Sequence, residues 1–304
     1  MVIDSHQHAF WHGRDDAGLI ADMDRNGIDL AWLLTWEIPP NKDNAYYHRV
    51  LNPVHCRPDG THAGIPLADL LAAQRRFPGR FVLGYCPCPY WDNAPDLFES
   101  ACALHGVRVC GEWKHRIPFD APRCLNLFRK AGELGCPVVL HLDVPYRMDP
   151  KTGRMAYQRD WYGGTVAHVE RALQACSETR FLGHGPGFWR EISGDADAEP
   201  SAYPKGPVAP GGRLTTLFAR YPNLYGDLSA GSGVGALRRD PNHAGEFLAR
   251  FADRMLFARD DYGNELQTFL ATLNLTGEIK ERLFWRNAAT LVPVRAPGEG
   301  RPSK

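Results

Sequence analysis

The chain has 304 residues, 44% of them apolar, which is enough to bury a full core without disulfide staples. Its 35 basic and 35 acidic residues balance with no basic block or stripe, which removes the electrostatic argument for nucleic acid or an anionic membrane surface. Val2 and Ile3 run straight into Asp4 and His6, and no later apolar run reaches the length of a membrane span. The expectation is therefore a cytoplasmic protein acting on a small molecule, with homo-oligomerisation left open.

In chain order, short β-branched or aliphatic runs alternate with amphipathic stretches. The predicted strands are 2–6, 30–36, 81–86, 107–112, 137–142, 180–184, 223–228 and 254–260. The predicted helices are 18–27, 66–77, 96–106, 123–135, 163–176, 212–222 and 244–252, followed by ELQTFLATLN and GEIKERLFWRNAATLV. Eight strands, each followed by a helix, predict a single-domain α/β fold: a (β/α)8 TIM barrel over 1–294, with a flexible tail at 295–304. Three strand-to-helix connections, 37–65, 143–162 and 185–211, are far longer than the usual few residues and follow strand C-termini, the catalytic face of a barrel. The eight cysteines are irregularly spaced, and free thiols are expected. Cys86-Pro87-Cys88 has the look of half a zinc ligand set but lacks a second pair.

The chemistry is carried by ionisable residues at strand ends. His6 and His8 are two apart, so on a strand both imidazoles share one face. Glu112 closes the fourth strand, His141 the fifth, His184 the sixth and Asp260 the eighth, and barrel closure gathers them around one axis. Buried charge that is neither paired nor metal-bound is costly. Imidazoles with carboxylates and no thiolate suit zinc first, with manganese or iron as alternatives, in a site that keeps a position open for water.

Taken in order, His6-Gln7-His8, PVVLHLD with His141, FLGHGPGF with His184, NLYGDLSA with Asp227, MLFARDDYG with Asp260, and the closing WRNAATLV with Asn287 resemble the metal-dependent amidohydrolase superfamily, specifically its amidohydrolase-2 branch. The resemblance runs from residue 2 to the Asn-Ala-Ala ending. It implies a distorted barrel in which His6, His8, His141 and Asp260 bind a catalytic divalent metal, with His184 as a second-metal ligand or a general acid/base. Two features depart from the usual pattern. Ala258-Arg259-Asp260 is followed by Asp261, leaving a choice of two acids. Val-Cys-Gly-Glu112-Trp-Lys114 places a glutamate where many mononuclear relatives have none; it is similar to the metal-bridging glutamate of TatD-like hydrolases and implies one or two ions.

The expected activity is metal-dependent hydrolysis of an ester, lactone or amide, with Asp260 taking the proton of the attacking water and His184 binding the developing oxyanion. A mononuclear non-oxidative decarboxylase or hydratase is the alternative, with Lys114, Arg116 or Arg147 assisting. A catalytically silent binding protein is the third reading, and requires a lost ligand. Substrate contacts are expected from Lys114, Arg116, Trp113, Tyr146 and Phe188, and Trp161 and Trp189 also lie at or just beyond strand ends. His12, His62 and His115 are read as surface or loop histidines, and Asp4 as packing at the barrel bottom.

Overall fold

A computed structural model describes residues 1–294; the expected flexible tail at 295–304 lies outside the described residues. The eight strands are β1 (Ile3–His8), β2 (Leu30–Leu34), β3 (Phe81–Gly84), β4 (Cys110–Trp113), β5 (Val138–His141), β6 (Phe181–His184), β7 (Leu224–Asp227) and β8 (Met255–Leu256). All pair in parallel, as β1-β2-β3 and β4-β5-β6-β7-β8. Backbone hydrogen bonds close both seams. Arg108 N donates to Leu83 O and Tyr85 N to Val109 O between β3 and β4; Ser5 N donates to Phe257 O and Asp260 N to His6 O between β8 and β1. The fold is the expected TIM barrel.

Ile3, Trp32, Leu34, Val82, Val109, Val139, Leu182 and Leu256 form one cluster inside the ring, and Ala288 and Leu291 of the helix Asn287–Leu291, with Val292 just after it, plug its lower end. Each such side chain withdrawn from water contributes roughly 1.5–3 kcal/mol. Asn287 holds the plug in place by donating to Ala252 O at 2.7 Å and Met255 O at 2.8 Å, a structural reason for the Asn-Ala-Ala ending. A larger apolar layer packs the outer helices onto the ring.

Helices follow the strands at Asp16–Arg25, Leu67–Arg76, Ala94–His105, Pro122–Glu133, Val166–Ala175, Arg213–Arg220, Pro241–Arg250 and Glu265–Thr272. A helix over Ala230–Arg238 went unpredicted, because three glycines in AGSGVGALR hide its periodicity. Two of the long connections carry small antiparallel ladders, Trp36–Glu37 with Gly64–Ile65 and Tyr146–Met148 with Met155–Tyr157. The third begins as a short helix, Pro186–Trp189, and continues into a turn at Arg190–Ile192. All eight cysteines are free, and Cys86 and Cys88 have no second ligand pair among the described residues. No described helix is long and apolar enough to cross a membrane.

Candidate metal centre

A parity problem has to be solved before β1 and β4 can present their ligands. Ile3 and His6 both face the barrel interior, as do Val109 and Glu112, although residues three apart on a regular strand point to opposite sides. The register shows how: between Asp4 and Gln7, and again between Cys110 and Trp113, the strand carries one more residue than its partner. Such bulges switch parity and re-aim the side chains beyond them. On β5 and β6 no switch is needed, since Val139 and His141, and Leu182 and His184, are two apart.

The imidazoles are each fixed by a second group. His6 Nδ1–H donates to Asp227 Oδ2 at 2.6 Å, and His8 Nδ1–H to Leu34 O at 2.9 Å, so both turn Nε2 toward the centre, 3.3 Å apart. His184 Nδ1 shares a hydrogen bond with Ser229 Oγ at 2.8 Å. His141 Nδ1 is 2.6 Å from Glu112 Oε1. Glu112 Oε2 lies 3.4 Å from His8 Nε2, and Glu112 Oε1 lies 3.6 Å from His184 Nε2. Asp260 brings Oδ1 to 3.5 Å from His8 Nε2 and Oδ2 to 3.6 Å from His184 Nε2.

Three donor groups therefore have ligand atoms within 4.8 Å of one another: His6, His8 and Glu112; His6, His184 and Asp260; Glu112, His141 and His184. A divalent ion fits this set. His6, His8 and His184 are held by outer partners in the manner of metal-ligating imidazoles, and Asp260 Oδ1 is buried with no hydrogen-bond partner among the described residues. Glu112 and Asp227 are buried and Asp260 nearly so, a concentration of acids that a divalent ion would offset together with Lys114.

The electrostatics follow from this crowding. Burial opposes charge on His6, but Asp227, Asp260 and Glu112 outweigh it and raise its pKa to about 10. Burial holds His184 well below the ordinary imidazole range, hence neutral. Asp260 is raised by burial and by Glu112 against the pull of His6 and His8. Glu112, despite burial, is held well below the carboxylate range by Lys114 and His141.

Above the cluster opens a chamber of about 300 Å³ whose wall includes Lys114, Tyr47, Tyr162, Trp11, Tyr46 and Tyr203. Lys114 lies 4.0 Å over the Trp36 ring and remains within reach of Tyr162. Asp260, with a left-handed backbone at φ 49°, turns into the cluster, whereas Asp261 stays on the exposed wall. Its neighbour Arg259 turns the other way into buried ion pairs with Asp4 at 2.7 Å and Asp22 at 2.6 Å, which explains the arginine in the strand-8 motif. Asp4 thus binds an arginine behind the sheet instead of packing at the barrel bottom.

Other expectations are corrected as well. Trp113 faces outward into the core against Phe119 and Phe128. Phe188 is buried beneath Gly183, where a side chain would collide with its ring, and packs on Trp189 and Phe218. Tyr146 sits exposed on its hairpin, paired with Tyr157, and Arg147 bonds Gln158 across the same hairpin. Arg116 stands behind the chamber wall, pairing with Asp160 at 2.9 Å and bonding Tyr162. Trp161 donates to Tyr157 and Trp189 to Asp227 O, both by their indole N–H. His62 and His115 are buried, while His12 stands exposed on the chamber wall. The wall residues Tyr46, Tyr47, Asp143, Tyr162 and Tyr203 come from the long connections, whose length was the only sequence signal for them.

A parallel barrel with imidazoles and carboxylates converging at its strand C-termini defines the class of metal-dependent (β/α)8 enzymes. The family model described as Amidohydrolase, of the amidohydrolase-2 type, matches residues 3–294, and the chain belongs to that family of metal-dependent enzymes. No curated protein matched the sequence. Among solved structures the chain is similar to an uncharacterised TIM-barrel protein from Bordetella bronchiseptica (18% identity, TM-score 0.58, 90% of this chain and 81% of that one). It is also similar to a candidate 2-pyrone-4,6-dicarboxylic acid hydrolase from Pseudomonas putida (14%, 0.56, 95% and 96%). A third is a dihydroxybenzoic acid decarboxylase from a Polaromonas species, with bound manganese and the inhibitor 2-nitroresorcinol (14%, 0.55, 95% and 96%). At these identities the likeness concerns the fold.

Proposed function

We propose that this protein is a metal-dependent hydrolase that opens an ester, lactone or amide bond of a small-molecule substrate. His6, His8, Glu112, His141, His184 and Asp260 hold one divalent ion, or two that share Glu112. The observation that carries the reading is the convergence of six donors, with Asp260 Oδ1 buried and unpartnered beside the His6 and His8 imidazoles. Four imidazoles favour zinc, and two carboxylates keep manganese as the alternative.

When bound, the ion supplies a water of lowered pKa and polarises the scissile carbonyl. The chain's own groups do the rest. Asp260, whose burial strengthens its hold on a proton, accepts one from the attacking water and delivers it to the leaving group. Asp227 fixes the ring of His6, and Ser229 that of His184. Burial opposes charge on Lys114, but Glu112, Tyr47 and Asp260 keep its ammonium protonated at the chamber wall, where it meets the developing oxyanion or a substrate carboxylate.

Lys114 also favours a second reading, non-oxidative decarboxylation, in which it receives the carboxylate to be lost. The likeness to a decarboxylase fits that reading equally well. Zinc- and manganese-loaded protein should be assayed against lactones, esters and amides for acid release, and against hydroxylated aromatic acids for carbon dioxide release. Acid release from the first panel, lost in His6→Ala and His141→Ala, is the expected result. Carbon dioxide release alone transfers the proposal to the second reading, and full turnover in both variants overturns either.

A further inference from the structure

Beside the chamber lies a second cavity, of about 380 Å³, between the 185–211 connection and the Ala230–Arg238 helix. Pro186, Tyr203 and Ser232 stand in the walls of both cavities, so the two adjoin. Their charges are opposite. The chamber wall carries Asp143, Asp160, Asp260 and Asp261 against Lys114, whereas the annex wall carries Arg190, Lys205, Arg238 and Arg239 and no carboxylate.

Two of these arginines are buried. Arg190 is 5% exposed, and the Arg239 side chain 2%. Part of each guanidinium is used to tie down the connection. Arg190 Nη2 donates to Ala196 O and Glu199 O, while Arg239 donates to Gly206 O and Pro207 O and pairs with Asp195 at 3.2 Å. In both, Nη1 is buried with no hydrogen-bond partner among the described residues. A buried polar group left without a hydrogen bond is costly, and a charged one more so. Arg190 also borders a neighbouring cavity beside Glu191 and Asp197, whereas Arg239 lines the annex alone, and an acceptor arriving in the annex would complete their bonding. Guanidinium groups suit carboxylate and phosphate oxygens in particular.

We infer that the annex is an anion-binding site: it seats a carboxylate or phosphate group carried by the substrate at a distance from the reacting bond, with Tyr203 at the boundary between reacting end and anionic end. The substrate assignment rests on the proposed catalytic reading; anion binding by the annex does not.

Gly235 allows a test that leaves every arginine in place. It lines the annex, and a Cβ built there meets nothing within 4 Å. Succinate and inorganic phosphate are titrated by calorimetry into the full-length protein, metal-loaded and metal-free, as wild type, Gly235→Glu and Arg239→Gln. One of the two anions is expected to bind in both metal states and to weaken about tenfold or more in Gly235→Glu, with melting temperature and metal content unchanged. Arg239→Gln should weaken it as well. The stronger anion tells carboxylate from phosphate. Equal binding by Gly235→Glu, binding lost on metal removal, or no binding of either anion overturns the inference. Anion binding by wild-type protein that takes up no metal instead overturns the catalytic reading and leaves the annex standing.

Discussion

The chamber and the annex meet at Tyr203 but are built from different material. The chamber floor consists of strand ends, where the ladder fixes each backbone position and an outer group orients three of the four imidazoles: Asp227 for His6, Leu34 O for His8, Ser229 for His184. The annex is walled by a long connection and a glycine-rich helix, joined by Arg239, which bonds backbone carbonyls of the connection. Chemistry that tolerates little misplacement sits on the rigid element, and the recognition surface sits on the connection that can vary without disturbing it.

Chamber and annex respond separately to changes confined to one of them. The largest effect is expected in the chamber. His6→Ala or His141→Ala should abolish metal retention and lower turnover by about a thousandfold or more, measured by metal analysis and steady-state rates. Asp227→Asn leaves all six donors in place but weakens the hydrogen bond that aims His6, so metal affinity should fall about 10–100-fold in a competition titration. A smaller effect is expected on the annex side. Gly235→Glu should raise KM for an anionic substrate about tenfold with kcat unchanged, since nothing in the annex touches the reacting bond. If it lowers kcat instead, the two cavities are one functional unit.

The smallest effect is on stability, and only in metal-free protein. His6 binds its proton more tightly folded, at about 10, than its ordinary 6.5. The stabilisation from that proton is therefore complete below pH 6.5 and is lost as pH rises through about 10. The melting temperature of metal-free protein should decline across that window, less so in Asp227→Asn. Metal-loaded protein should show no such decline, because the ion occupies the nitrogen that the proton would hold.

Much of this was legible from residue order. Each donor ends an apolar run, and a parallel barrel brings such ends together whatever their separation in the chain. What could not be read was parity. Trp113 follows Glu112 and looked like a pocket residue, but neighbours on a strand face opposite sides, and Trp113 belongs to the outer core. The bulges that turn His6 and Glu112 inward leave no mark in VIDSHQH or VRVCGEW. Phe188 was misread for a related reason: Gly183 leaves space for its ring beneath the sheet, a contact set by tertiary packing. The Ala230–Arg238 helix was hidden by its glycines, and with it the annex wall.

The central claim is that the strand-end cluster holds a divalent metal ion, and anomalous scattering from crystals of the purified protein tests it most directly. A peak is expected within the space bounded by His6, His8, Glu112 and Asp260, with a second toward His141 and His184 if Glu112 is shared. Crystals from zinc- or manganese-supplemented protein with no anomalous peak among these residues would contradict it.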